Sequence, residues 1–195
     1  MAEPLLTRYL QPLMAGRRSE CFQIIEQALR EGKPAQHVMR DVVWPAITQV
    51  ERLYREDQVN AAVESMAARI NRAVASALQP QLPKRPSIAK RAVVLAGDHA
   101  HDDAAAQMTA DLLQSEGWEV YLLAASVPYD EIVTLVGRLR PHVLAICGTQ
   151  PQDVPNVRWL IAHLREIDAC PTMNVIVSGG VFNRAEGLWQ EVAAD

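Results

Sequence analysis

Arg91-Ala-Val-Val-Leu-Ala96 runs directly into Gly97-Asp98-His99-Ala100-His101-Asp102-Asp103-Ala104-Ala105. The first six residues form an apolar, β-rich run, and the Ala-rich stretch behind the histidines is helical in character. A strand that passes through a glycine into a helix sets its loop outside the carboxyl end of a sheet, where α/β folds hold their ligands. Two imidazoles and three carboxylates stand within positions 98–103. That is more polar chemistry than a plain strand-to-helix connection needs, and it points to a held cofactor. The same residues also suit a solvated loop whose aspartates cap a helix starting near Asp103.

Downstream of this stretch the pattern repeats. Strands are expected at 91–96, 119–123, 143–147 and 174–178, and helices at 102–116, 129–140, 154–167 and 185–193. Continuous apolar strands alternating with helices predict a parallel sheet covered on both faces. Gly117 stands where a glycine closes the first of these helices. Upstream, residues 1–82 read as four helices. Val38, Val42, Val43, Ile47, Val50, Leu53 and Tyr54 share one broad face between Ala35 and Tyr54, and Pro45 inside that pattern implies a kink or a restart. An Ala-rich helix over 59–82 carries Val63, Met66, Ile70, Val74 and Leu78 at near-helical spacing. Pro80-Gln-Leu-Pro-Lys-Arg-Pro86 cannot stay helical or enter a central strand. The expected fold is α/β: an N-terminal four-helix bundle cap (1–82), a linker (83–90) and a Rossmann-like, flavodoxin-like parallel-sheet domain (91–195).

The whole chain sets bounds on this reading. Its 195 residues are 49% hydrophobic and 22% charged, as in an ordinary soluble protein. No apolar run approaches the roughly 20 residues of a membrane span, and Met1-Ala-Glu-Pro4 lacks the basic and apolar regions of a signal peptide. Cys21, Cys147 and Cys170 are too few and too far apart for a disulfide framework or a zinc pattern, so a reducing cytoplasm is expected. A net charge of −4 argues against a nucleic-acid surface. Residues 1–88 lean basic and residues 89–195 acidic, as two halves with separate tasks would. No Ser-His-Asp, Cys-His or paired-carboxylate arrangement stands out, so the chain is not expected to be an enzyme.

A helical cap, a proline linker and a Rossmann-like half with a histidine-bearing first loop resemble the cobalamin (vitamin B12)-binding module. This family occurs in methionine synthase, corrinoid shuttle proteins and bacterial light-sensing regulators. Its ligand pattern is Asp-x-His-x-x-Gly, about 41 residues, Ser-x-Leu, about 26–28 residues, then Gly-Gly. Ala110-Asp-Leu-Leu-Gln-Ser-Glu-Gly-Trp-Glu-Val120, Ser126-Val-Pro128 and Gly179-Gly-Val-Phe-Asn183 are similar to the regulatory branch. With Cys147 in the Ser position, Ala105 takes the Gly position, Asp102 the His position and Ala100 the Asp position. Thr149 then takes the Leu position and Gly179-Gly180 the glycine pair, with residues 150–178 between them. The frame is kept while the axial histidine position holds an aspartate. His101 and, as runner-up, His99 are the neighbouring imidazoles that a longer loop would present to cobalt. The photosensory Trp-x9-Glu-His of the cap becomes Tyr54, Glu64 and Ser65.

The resemblance therefore implies a sensor or regulatory module that holds a tetrapyrrole, cobalamin first, between cap and sheet. Its cofactor-binding residues would be Tyr54, Glu64, His99, His101, Asp102, Cys147, Thr149, Gly179 and Gly180, and its metal ligand His101. A bilin or haem in the same place, a cofactor-free interaction module, and a corrinoid shuttle for methyl transfer are the alternatives. The expected partner is a separate output protein or a second copy of the chain, with neither nucleic acid nor membrane involved. Read without the family, Cys147 serves equally as a small core residue, Gly179-Gly180 as a tight turn, and Trp44, Met14, Met39 and Met66 as helix packing.

Overall fold

The computed structural model describes residues 4–97, 100–148 and 150–195. It divides into two compact units, Met1–Pro83 and Lys84–Asp195. The first is all helical: α1 (Leu5–Met14), α2 (Arg18–Arg30), α3 (Ala35–Val38), α4 (Trp44–Arg55) and α5 (Ala61–Leu78). A π-helical turn, Met39–Val43, joins α3 to α4 without a break. Pro45 explains that turn. It has no N–H to give, and its ring crowds the carbonyl four residues back. The chain widens instead, and the Trp44 N–H reaches the Met39 carbonyl five residues behind it. The apolar face survives the bulge, burying Val38, Met39, Val42, Val43, Ala46, Ile47 and Val50.

Two expectations about this unit need correction. Tyr54 does not share the buried face; it is 42% exposed at the end of α4. Met66 is 44% exposed and is not core packing. The buried face of α5 is Ala67, Ala68, Ile70, Asn71, Val74, Ala75 and Leu78, one step around from Met66. The helix opens later than expected, because the Asn60 side chain caps it by accepting the Val63 N–H at 3.0 Å. Asn71 brings a polar group into this interior. It accepts from the Tyr9 hydroxyl at 2.8 Å and donates to the Val43 carbonyl at 2.9 Å. One amide thereby ties α1, α5 and the π turn together.

The second unit is a four-stranded, all-parallel sheet in the order β2-β1-β3-β4, with β1 Arg91–Ala96, β2 Glu119–Leu123, β3 Val143–Cys147 and β4 Asn174–Ser178. Helices α6 (Ala100–Ser115), α7 (Tyr129–Leu139), α8 (Val154–Glu166), α9 (Gly180–Arg184) and α10 (Leu188–Glu191) complete it. On one face Val94, Ala96, Ala145 and Cys147 pack on Ala106 and Ala110 of α6. On the other, Val93, Leu95, Leu144 and Ile146 pack on Ile132, Val136, Leu160 and Ile161. Small alanines let α6 lie close to the sheet, as the sparse aromatic content requires. At its far end Gly117 is left-handed, with φ +90°. The Trp118 N–H bonds the Leu113 carbonyl and the Gly117 N–H the Gln114 carbonyl, which is the expected glycine closure.

Burial on both faces holds for β1 and β3 and fails at β4. Ile176, in register with Ala145, is 47% exposed on the α6 side. The helix expected over 185–193 is also different. It is two short pieces, α9 starting directly at Gly180, then a break at Ala185 and the left-handed Gly187 before α10.

Asn71→Ala would leave the Tyr9 hydroxyl and the Val43 carbonyl without this partner in the interior. We expect a loss of about 1–3 kcal/mol, read as a lower urea midpoint at unchanged slope. An unchanged midpoint would show that the amide does not hold the three segments.

Candidate functional site

In the order β2-β1-β3-β4 the chain moves from β1 to one side and returns to the other, so the strand order reverses between β1 and β3. Open α/β sheets bind ligands outside the carboxyl ends at this reversal. A cavity of about 70 Å³ lies there. Its walls come from Gly97 after β1, Cys147 and Gly148 at the end of β3, Tyr129 and Ile132 of α7, and Asp153, Asn156 and Leu160 at and within α8.

Glycines shape the strand ends. The Gly97 N–H donates to the Cys147 carbonyl at 2.7 Å. A Cβ on Gly97 would stand 2.5 Å from Asp102 Oδ2 and 2.9 Å from the Cys147 carbonyl oxygen, closer than real side chains approach. Beyond β3, the Gly148 N–H donates to the Ser178 carbonyl at 2.8 Å. Gly179 has φ +112°, and a Cβ there would overlap the Gly148 carbonyl oxygen. Backbone thus meets backbone where β3 and β4 end, and the Asp102 carboxylate closes on Gly97 where β1 ends.

Asp102 is fully buried in the first turn of α6 and turns its carboxylate toward Gly97. Cys147 is buried beside it. Burial first, and the Asp102 charge second, push the Cys147 thiol up to about 12, against a lowering hydrogen bond with Thr109. Two sequence-predicted residues, Asp102 and Cys147, are therefore brought together with Gly97. Gly179 and Gly180 follow β4 as expected, Gly180 buried at the start of α9.

The stretch 97–105 is not the long loop that the spacing predicts. Helix α6 begins at Ala100, because Ala100 and Ala104–Ala106 favour helix and Asp102 and Asp103 suit the positive end of its dipole. His101 is carried into that first turn and is 4% exposed. Among the described histidines it alone follows β1. His37 lies in α3, His142 accepts the Arg91 N–H at the sheet's amino end, and His163 stacks on Trp159. Asp98, His99 and Thr149 lie outside the described residues. Tyr54 and Glu64 belong to the helical unit, Glu64 half-buried in the first turn of α5. Sequence reasoning missed Gly148, Tyr129, Asp153 and Asn156; Asp153 two residues before Pro155 was the one available signal. Among the described residues no cluster of three or more His, Cys, Asp or Glu is placed to hold a metal ion, and no helix is long and apolar enough to cross a membrane.

Gly179→Ala is expected to cost at least about 1–3 kcal/mol, since its backbone region admits glycine almost alone. Gly148→Ala, with no atom nearer than 3.7 Å to the new Cβ, should be tolerated; equal thermal midpoints for the two variants would contradict this geometry. For Cys147, the unfolded thiol titrates near 9 and the folded one near 12. Above pH 9 the unfolded chain binds fewer protons than the folded one, so the thiol's contribution to stability should fall as pH rises from about 9 to about 12. Cys147→Ala should flatten that part of the stability profile.

Comparison with known proteins bears on this site. The family described as "B12 binding domain" matches residues 5–79. The monomethylamine corrinoid protein of Methanosarcina barkeri superposes with a TM-score of 0.85 at 15% identity, covering 98% of this chain and 90% of that one. A cobalamin-binding protein from Desulfitobacterium hafniense DCB-2 gives 0.53 at 20% identity, covering 100% and 91%. The methanol:cobalamin methyltransferase complex MtaBC of Methanosarcina barkeri gives 0.50 at 18% identity, covering 91% and 68%. No curated protein matches by sequence. At these identities the structural likeness establishes a shared fold. Residues 5–79 match the B12 binding domain family, and the chain shares its fold with the monomethylamine corrinoid protein.

Proposed function

We propose that this chain binds cobalamin at the carboxyl edge of its sheet and acts as a non-catalytic cofactor-holding module for a separate protein. The observation that carries this reading is the glycine-lined crevice at the β1/β3 reversal, in a chain whose helical unit matches the B12 binding domain family. The residues present suit a large flat ligand. Gly97, Gly148 and Gly179 keep side chains out of the strand ends, so backbone N–H and carbonyl groups face the ligand. Cys147 remains a neutral thiol at physiological pH and adds an apolar wall. Among the described residues His101 is the imidazole in the first turn after β1 and would be the one to hold a metal, with Asp102 beside it in that turn. When bound, the corrinoid supplies a cobalt that holds an alkyl group and absorbs visible light.

Support for a sensor comes from the local likeness of Ser126-Val-Pro128 and Gly179–Asn183 to regulatory relatives, and from the aspartate in the axial position. A second reading, a corrinoid carrier for methyl transfer, is supported by the fold shared over nearly the whole chain with the monomethylamine corrinoid protein. Neither reading asks the chain for acid–base chemistry.

Equilibrium dialysis should show uptake of cobalamin, and saturating ligand at about 100 Kd should stabilise the fold by about 2.7 kcal/mol. Absence of uptake would sink both readings. A spectrum and sedimentation profile that change on illumination indicate the sensor. Light-insensitive protein whose bound cofactor is methylated by a methyltransferase indicates the carrier. His101→Ala should shift the bound spectrum toward a water-ligated form; an unchanged spectrum would show that His101 does not bind cobalt.

A further inference from the structure

Asp153 stands at the N-terminal boundary of α8. An aspartate there ordinarily caps the helix by accepting a backbone N–H from its second or third residue. Asp153 makes no such bond. The second residue of the helix is Pro155, which has no N–H to give. The Asp153 side chain instead lines the cavity at the β1/β3 reversal. A Cβ built on Gly148, directly across, would lie 3.7 Å from Asp153 Oδ2. That oxygen is buried and accepts no hydrogen bond from the described residues.

An acceptor in this state costs about 1–3 kcal/mol, more when charged, and a donor supplied from outside the chain removes that cost. The cavity limits what the donor can be. Its roughly 70 Å³ suits a small group of a few heavy atoms. Leu95, Ile132, Ile146 and Leu160 make the remaining wall apolar, which favours a neutral group. Asn156, exposed beside Asp153, has both a donor and an acceptor to give. A primary carboxamide meets each requirement: an N–H for Asp153, a carbonyl for Asn156, no charge, and the right size. The rim of a corrin ring carries short side chains ending in this group.

We propose that this cavity is a carboxamide subsite for one corrin side chain, and that Asp153 is its specificity-determining residue. The inference rests on the corrinoid reading above. Because the acceptor is an anion, the subsite rejects the same side chain once its amide is hydrolysed to a carboxylate.

The test compares cobalamin with its monocarboxylates, each having one corrin carboxamide hydrolysed, by titration of the full chain at pH 7. Wild type should bind one of these acids at least ~10-fold more weakly than cobalamin, as expected when two carboxylates are forced together. Asp153→Asn should bring that ratio to within about twofold by removing the like charge. Equal binding of all the acids by wild type, or discrimination that persists in Asp153→Asn, would overturn the subsite and leave the corrinoid reading standing; ordered water would then suffice to fill the cavity. Failure of wild type to bind cobalamin itself would overturn the corrinoid reading and this inference with it. Without cofactor, Asp153→Asn should keep or raise the thermal midpoint. A fall of several degrees would mean that the carboxylate serves the fold, and would count against the proposal.

Discussion

The carboxyl ends of β1, β3 and β4 pack on glycine, with only the Asp102 carboxylate against them, and the rest of the sheet unit is arranged around that constraint. Parallel strands share a hydrogen-bond ladder that ends where the chain must leave for its crossover helix. Here the ladder is carried one step further by the Gly97 bond to Cys147 and the Gly148 bond to Ser178. Two of these positions demand a residue without a Cβ: Asp102 presses on Gly97, and the Gly148 carbonyl on Gly179. The result is a compact backbone edge at the carboxyl end of the sheet. Its position at the reversal of strand order follows from right-handed crossovers, which send α6 to one face and α7 and α8 to the other.

The helical unit solves a different problem. Pro45 denies the α3–α4 run one hydrogen bond, and the chain absorbs the defect as a π turn rather than a break. Asn71 then donates to the carbonyl of Val43 within that turn. This keeps Val42 and Val43 on the core side and passes the apolar stripe intact into α4. A polar residue in an Ala-rich helix thereby secures packing that small side chains alone hold weakly, since alanine buries little area.

All four strands were legible to the residue, because buried parallel strands are continuous apolar runs with polar or proline-bearing borders. Helix α7 was equally plain, opening behind Pro128 and closing at the left-handed Arg140. What escaped the sequence were cases where two local preferences compete. Ala100 and the aspartates pull α6 upstream into a stretch whose histidines look like loop. Tyr54 and Met66 continue an apolar spacing past the point where neighbouring elements cover it. At 185–193, the left-handed Gly187 splits a region of helical composition. Asp153 was hard to read for another reason. Its composition says helix cap, and only the absent N–H of Pro155, together with the fold that sets Gly148 opposite, shows the carboxylate facing a cavity.

Asp102 has a structural consequence for this edge. A histidine at 102 on this helix would drive an imidazole toward Gly97 and the Cys147 carbonyl, where the spacing leaves room for a compact carboxylate. Asp102 fills that place and lets the first turn of α6 close down on the sheet, carrying the one described imidazole of this region into the interior beside it. The nitrogen donor and the glycine edge are thus joined by a single helical turn. Whatever opens that turn exposes His101 and withdraws Asp102 from Gly97 together. The burial of His101 is therefore coupled to the packing of Asp102 on Gly97, and so to the shape of this strand edge.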